Sequence, residues 1–121
     1  KALVGHSRGG LFSGYAFLER PDLFDAYFSF SPAYWRDDHR IVKDTRQLLN
    51  TKAPNAFWYN SLGSEENEKM KAGYLALQEE VAGTLPDSLV TFQMTVGAVH
   101  GDNSYYSAPE ALSMWAHHEK W

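Results

Sequence analysis

A serine flanked by glycines near the start of the chain has the pattern of an activated nucleophile. Ser7 lies in the run Gly5-His6-Ser7-Arg8-Gly9, between a short apolar segment and a stretch with helical spacing. The G-x-S-x-G pattern is typical of a sharp strand-to-helix turn that lifts a serine hydroxyl clear of a sheet. Bulky residues two positions before and after the serine would collide in such a turn, so we expect both positions to require glycine. The pattern predicts that Ser7 is a catalytic nucleophile and that the N–H of Arg8 donates to an oxyanion.

A serine hydroxyl needs a base to accept its proton, and His100 is the histidine whose position suits that role. It follows the fourth predicted strand, in a loop with glycine at positions 97 and 101. Catalytic groups in an open parallel sheet gather beyond the carboxyl ends of the strands, where Ser7 is also expected. Serine first and histidine last is also the chain order found with this kind of turn. The remaining histidines lie inside the turn or in helices: His6, His39, His117 and His118.

The carboxylate that would orient His100 is expected between Ser7 and His100, at the end of another strand. The third predicted strand ends at Gly63, and an acidic segment follows it directly. Glu66 is the preferred candidate, because a residue at position 68 falls in the next helix and one at position 65 is expected to point outward. A Ser–His pair without an acid is a further alternative. The other carboxylates that the sequence leaves open are Glu65, Glu68 and Asp102.

Strand and helix patterns alternate four times along the chain, which predicts an α/β fold with a mostly parallel sheet and flanking helices. The predicted strands cover residues 2–4, 26–30, 55–62 and 88–96. The first is expected to be buried on both faces. Apolar residues at helical spacing follow it, including Phe12. The last helix is expected to begin at the capping box 107–110, with Leu112, Trp115 and Ala116 on its inner face.

Composition narrows the function classes. The chain has 121 residues, a formal charge of −4 and no cysteine, and 44% of its residues are hydrophobic. A core of useful size is therefore possible in one domain, while disulfides and thiol nucleophiles are excluded. A mildly acidic chain without basic runs argues against nucleic acid as a partner. No apolar stretch approaches the ~20 residues of a membrane span. The expected site implies no metal or cofactor. The composition does not distinguish a cytoplasmic from a periplasmic protein.

Several segments together resemble one family of esterases. They are the run from Gly5 to Gly10, Pro21-Asp-Leu-Phe24, Ser31-Pro32 with Trp35, and His100-Gly101 followed by Pro109 to Leu112. These segments resemble the putative esterase family related to esterase D, which includes siderophore trilactone esterases and feruloyl esterases. The resemblance spans nearly the whole chain and implies an α/β-hydrolase fold. It also implies that residues 1–121 are the C-terminal portion of one such domain, without the first strands and the second oxyanion donor that they supply.

The expected activity is ester hydrolysis through an acyl-serine intermediate, on siderophore lactones or other small esters. Acyl transfer to another alcohol uses the same chemistry, and a non-catalytic binding module is the alternative from another class.

Four aromatic residues are candidates for a pocket, although packing under loops is the interpretation we favour: Tyr34, Trp35, Tyr105 and Tyr106. Since the chain starts within a strand, that strand is expected to leave an exposed edge through which two copies associate.

Overall fold

The computed structural model describes residues 1–51 and 54–118 and confirms the alternation of strands and helices. The chain order is β1 (Ala2–His6), α1 (Arg8–Glu19), β2 (Ala26–Phe30), α2 (Arg36–Thr51), β3 (Phe57–Gly63), α3 (Glu68–Ala82), β4 (Val90–Thr95) and α4 (Asn103–Ala116). The backbone at residues 37–39, near the start of α2, is left-handed. Within the described ranges, no helix is long and apolar enough to cross a membrane.

The four strands form one parallel sheet in the order β1-β2-β3-β4. In this register His6 pairs with Phe30, and Phe30 pairs with Ser61. The carboxyl ends of all strands therefore meet at one edge. The loops that leave this edge contain Ser7, Glu66 and His100, so the topology gathers them at one place.

Two hydrophobic clusters lie on opposite faces of the sheet. The larger joins side chains of α1, α2 and α3 to Tyr27 and Trp58. The smaller packs Ala111 of α4 against Phe28 and Tyr59. Alternate residues of a strand point to opposite faces, so each central strand supplies both clusters. The result is a three-layer α/β/α arrangement in which β2 and β3 are completely buried.

The prediction that the first strand is buried on both faces is wrong. β1 forms the edge of the sheet and pairs only with β2 among the described residues. Val4 is 61% exposed, and Phe12 on the following helix is 65% exposed. An apolar run alone does not distinguish an edge strand from a central one, because the distinction depends on which strands pair with it.

The predicted start of the last helix is also wrong, and its predicted inner face is correct only for Trp115. α4 begins at Asn103, and Pro109 lies within it. Its buried residues are Asn103, Ser107 and Ala111, at steps of four, whereas Leu112 and Ala116 are exposed. The inner face is polar where Asn103 contacts Ser31 and Ser61 at the ends of β2 and β3. Further along α4 it is apolar, and Trp115 packs there against Phe28.

Candidate active site

Ser7 occupies a strained turn between β1 and α1. Its φ of 61° and ψ of −113° lie in a region that residues other than glycine rarely adopt. Hydrogen bonds hold this conformation: the Ser7 N–H donates to the Phe30 carbonyl at 3.0 Å, and the Ser7 carbonyl accepts from Ala33 at 3.1 Å. Arg8 is the first residue of α1, so its N–H has no carbonyl partner within the helix. The turn thus presents a serine hydroxyl beside a free helix N-terminus.

The two glycines of the pattern have different importance. A Cβ at Gly5 would lie 1.9 Å from the Gly9 carbonyl oxygen, so a side chain there is incompatible with the turn. A Cβ at Gly9 would meet nothing within 4 Å. The expectation that both positions require glycine is therefore correct for Gly5 and wrong for Gly9. Gly10 is more restricted, since a Cβ there would approach the Pro32 Cα to 3.0 Å.

The structure brings Ser7, His100 and Glu66 into one hydrogen-bonded chain. Ser7 Oγ lies 3.0 Å from His100 Nε2, and His100 Nδ1 lies 2.7 Å from Glu66 Oε1. A carboxylate can only accept, so the Nδ1 proton points to Glu66 and Nε2 is left to accept the Ser7 proton. Glu66 is buried, with 5% exposure, while Ser7 and His100 are half-buried.

The other carboxylates that the sequence left open lie elsewhere. Glu65 is exposed and accepts from the Ser64 hydroxyl. Glu68 is exposed and faces Lys71 at 4.0 Å. Asp102 accepts from the Val99 N–H at 2.8 Å and so closes the loop that contains His100. Of the four carboxylates, Glu66 is the one whose hydrogen bond to the His100 ring the described part of the chain shows.

Close backbone packing positions the His100 loop. A Cβ at Gly63 would lie 2.3 Å from the Ala98 carbonyl oxygen, so the loop rests directly on the end of β3. The Ala98 carbonyl accepts from the Glu65 N–H at 2.9 Å. From the other side, His6 Nε2 lies 2.9 Å from the His100 carbonyl oxygen. His6 thus supports the backbone of His100, a contact that the sequence did not predict.

Glu66 accepts two hydrogen bonds besides the one from His100. Its Oε2 accepts from the Ser31 hydroxyl and from the Gly63 N–H, each at 2.7 Å. Ser31 is fully buried and has a left-handed backbone, with φ at 45°. Three hydrogen bonds to its two oxygens therefore hold the Glu66 side chain in place.

A buried polar network fixes the direction of the Ser31 hydroxyl. Asn103 Nδ2 donates to Ser31 Oγ at 3.0 Å and to Ser61 Oγ at 3.1 Å. Ser107 donates to the Asn103 carbonyl, so the Ser61 hydroxyl donates to Ser107 at 2.8 Å. Ser31 Oγ thus accepts a hydrogen bond from Asn103 and donates its own proton to Glu66 Oε2. Asn103 Oδ1 has no hydrogen-bond partner within the described residues.

A cleft of about 290 Å³ opens beside Ser7. Of the four aromatic residues named as candidates for a pocket, Trp35 lines this cleft. Tyr34 is completely buried in the core and donates to Asn60, and burial raises the pKa of its hydroxyl far above the usual value. Tyr105 and Tyr106 are exposed and pack against each other. The full lining is Ser7, Arg8, Ala33, Trp35, Arg36, Asn67, Lys69, Met70 and His100.

Sequence comparison identifies the family. Residues 1–118 match the family described as Putative esterase. The chain belongs to this family. A relative named "Siderophore enterobactin esterase" from Emericella nidulans is 38% identical over 52 residues, which are 43% of this chain and 17% of the relative. A "Siderophore triacetylfusarinine C esterase" from Aspergillus fumigatus is also 38% identical over 52 residues, or 43% of this chain and 18% of the relative.

Solved structures of larger proteins share the fold. The BES protein from Bacillus cereus has a TM-score of 0.82 and 26% identity, over 94% of this chain and 44% of that chain. Siderophore hydrolase EstB from Aspergillus nidulans has a TM-score of 0.80 and 26% identity, over 99% of this chain and 48% of that chain. The chain thus spans less than half the length of either protein. The expected resemblance to the esterase family and the α/β fold are both confirmed.

The residues that sequence reasoning missed lie around Glu66. Ser31 lies in the Ser-Pro segment that resembles the esterase family, directly after a predicted strand. That position at the carboxyl end of a strand is the signal that could have placed it near the site. Asn103 and Ser107 stand at helical spacing, but the predicted helix start excluded Asn103. A polar stripe on a helix that follows a candidate histidine is the signal that would have found them.

Proposed function

We propose that this chain carries the catalytic residues of a serine carboxylic-ester hydrolase that acts through an acyl-serine intermediate. The observation that carries the proposal is the hydrogen-bonded chain from Ser7 through His100 to the buried Glu66. Membership of the Putative esterase family gives independent support for ester chemistry. The roles of nucleophile, base and acid fall on Ser7, His100 and Glu66 respectively.

In the acylation step, Ser7 Oγ attacks the carbonyl carbon of the ester while its proton passes to His100 Nε2. The imidazolium that forms is stabilised by the Glu66 carboxylate at its other nitrogen. Collapse of the tetrahedral intermediate breaks the bond to the alcohol oxygen, and His100 returns the proton to the departing alcohol. The Arg8 N–H lies at the start of α1, where the helix dipole favours a developing negative charge, and it is one donor to the oxyanion.

In the deacylation step, water replaces the alcohol. His100 removes a proton from water, the oxygen attacks the acyl carbon, and the proton returns to Ser7 Oγ as the acid departs. An alcohol in place of water would complete an acyl transfer instead. The names of the fungal relatives favour siderophore esters as the substrates within this class.

The test is hydrolysis of short p-nitrophenyl esters by the full-length natural protein and by Ser7→Ala and His100→Ala variants. We expect each variant to lose about 10³-fold or more in kcat, as the loss of one member of such a set does. His117→Ala, which removes an exposed imidazole from the C-terminal end of α4, is the matched control and should retain activity. Equal turnover by Ser7→Ala would disprove the proposal. Product analysis with added alcohol separates hydrolysis from acyl transfer.

A further inference from the structure

The cleft beside Ser7 contains three cationic side chains. Arg8, Arg36 and Lys69 all line it, together with the half-buried Trp35. They come from three different elements, since Arg8 begins α1, Arg36 begins α2 and Lys69 lies in the first turn of α3. The fold therefore brings three positive charges from separate elements to the cleft that contains the Ser7 hydroxyl.

These cations are not neutralised by neighbouring carboxylates. Among the described residues, none of the three forms an ion pair. Three acidic side chains from the same part of the chain have other partners: Glu66 contacts His100, Glu68 faces Lys71, and Asp38 pairs with Lys43. The chain has a net charge of −4, yet the described residues that line this cleft include three cationic side chains and no carboxylate.

The Trp35 ring organises two of the cations. Lys69 Nζ lies 4.5 Å from the ring centroid and Arg36 Cζ lies 5.5 Å from it, both within cation–π range. The indole N–H donates to Met70 Sδ at 3.1 Å, which fixes the orientation of the ring. The backbone below it is also fixed, because a Cβ at Gly73 would lie 2.5 Å from the Trp35 nitrogen.

We propose that this cleft binds an organic anion, and that the natural substrate is an ester with a carboxylate or an equally charged group near the scissile bond. This inference rests on the proposed hydrolase function and specifies its substrate class. Lys69 and Arg36 attract the anionic group, while Trp35 holds both cations at one wall of the cleft. Positive charge beside the reacting serine raises the local concentration of anionic substrate and so raises kcat/KM.

Two matched ester pairs test the proposal in the full-length natural protein, one for each side of the scissile bond. Mono-p-nitrophenyl adipate and p-nitrophenyl hexanoate differ by a carboxylate on the acyl side. The 4-acetoxybenzoate anion and its methyl ester differ by a carboxylate on the alcohol side. The measured quantity is the ratio of kcat/KM for the anionic ester to kcat/KM for the neutral one, in wild type, Lys69→Met and Arg36→Met.

We expect each substitution to lower this ratio about three- to tenfold in at least one pair, as loss of one partly exposed charge interaction does. The ratio is the readout because it cancels any effect of the substitution that the anionic and the neutral ester share. Lys71→Met is the control, because Lys71 lies on the same helix, faces Glu68 and does not line the cleft. The pair that responds identifies the side of the ester that carries the anion.

The outcomes separate this inference from the proposed function. If both esters of a pair are hydrolysed and neither substitution changes either ratio, the hydrolase proposal stands and the anion site is wrong. If no ester is hydrolysed, the hydrolase proposal fails. Calorimetric titration with 4-hydroxybenzoate and its methyl ester then decides the anion site alone: preference for the anion that is lost in Lys69→Met supports it, and equal binding overturns it.

Discussion

At the scale of the residue, the surroundings of Glu66 differ sharply from those of its acidic neighbours. Glu66 is buried and accepts from His100, Ser31 and Gly63, whereas Glu65 is exposed next to it. The proposed roles of Ser7 and His100 could be predicted from residue type and spacing. The choice of Glu66 could only be a preference, because burial and the approach of the His100 loop depend on contacts between distant parts of the chain.

Glu66→Gln is expected to lower kcat about 10³- to 10⁴-fold, because an amide at this position cannot hold the His100 tautomer that leaves Nε2 free to accept a proton. Steady-state kinetics with a p-nitrophenyl ester measures the loss. Glu65→Gln makes the same chemical change one residue away and should leave kcat within about twofold, since exposed substitutions rarely matter. Similar effects of the two substitutions would contradict the role assigned to Glu66.

Ser31→Ala removes one of the three donors to Glu66 and is expected to lower kcat about tenfold, the size of one hydrogen bond to a charged group. The effect should fall on kcat rather than KM, because Ser31 acts through Glu66 and does not line the cleft. Ser13→Ala is the matched control: Ser13 is also completely buried, but its hydroxyl has no partner within the described part of the chain. An unchanged kcat in Ser31→Ala would show that the Ser31 hydrogen bond does not position the site.

At the scale of the element, the turn between β1 and α1 and the packing of loops on strand ends position the site. The alternation of four strands and four helices could be predicted, because the spacing of apolar residues within each short segment is typical of either a strand or a helix. The exposure of Val4 on β1 and the burial of Asn103 and Ser107 on α4 could not, since both are set by neighbouring elements. The buried face of α3, in contrast, is mainly apolar and follows the helical spacing of the sequence: its members at steps of four, three and four are Met70, Tyr74, Leu77 and Val81.

The two glycines of the turn provide a direct test of its geometry. Gly5→Ala should abolish activity and lower the thermal midpoint, because its Cβ would overlap the Gly9 carbonyl. Gly9→Ala should keep activity and change the free energy of unfolding by no more than about 1 kcal/mol, since it adds a methyl group to open space at the start of a helix. Thermal unfolding and ester hydrolysis measure both effects. Equal damage from the two substitutions would contradict this description of the turn.

At the scale of the whole molecule, buried tyrosines link folding stability to alkaline pH. Burial raises the pKa of Tyr34 and Tyr74 well above 10.0, and burial with a hydrogen bond to Asp44 raises the pKa of Tyr15 to about 12. A raised pKa in the folded state means that the unfolded state loses its proton first. The stabilisation is complete below about pH 10 and is lost as pH rises above it.

The free energy of unfolding should therefore fall steadily from about pH 10 upward, by about 1.4 kcal/mol per pH unit for each such tyrosine. Tyr34→Phe removes one group and should make this slope shallower by that amount, whatever its effect on stability at neutral pH. Denaturant titrations at a series of pH values measure the slope. Tyr105→Phe changes an exposed ring and should leave the slope unaltered. A slope that is the same in Tyr34→Phe would contradict the linkage.

The exposed edge of the sheet at β1 leads us to expect that copies of this chain associate with one another. Among the described residues, no strand pairs with the outer side of β1, and Val4 is exposed there, so the 121-residue chain by itself should self-associate. Val4→Lys should weaken the association, because lysine on an edge strand opposes pairing with another strand. Val96→Lys adds the same charge at a position that is 91% exposed outside the strands and serves as the control. A monomer at all concentrations in light scattering would contradict the prediction.

The central claim is that Ser7 is the nucleophile, and covalent labelling by a fluorophosphonate tests it without knowledge of the substrate. Attack by Ser7 Oγ on phosphorus expels fluoride and leaves a phosphonyl-serine that mimics the acylation step. Peptide mass spectrometry of the labelled full-length protein should find one adduct, on Ser7, that is absent in Ser7→Ala and forms much more slowly in His100→Ala. An adduct on another residue, or none under conditions where the ester is hydrolysed, would contradict the account.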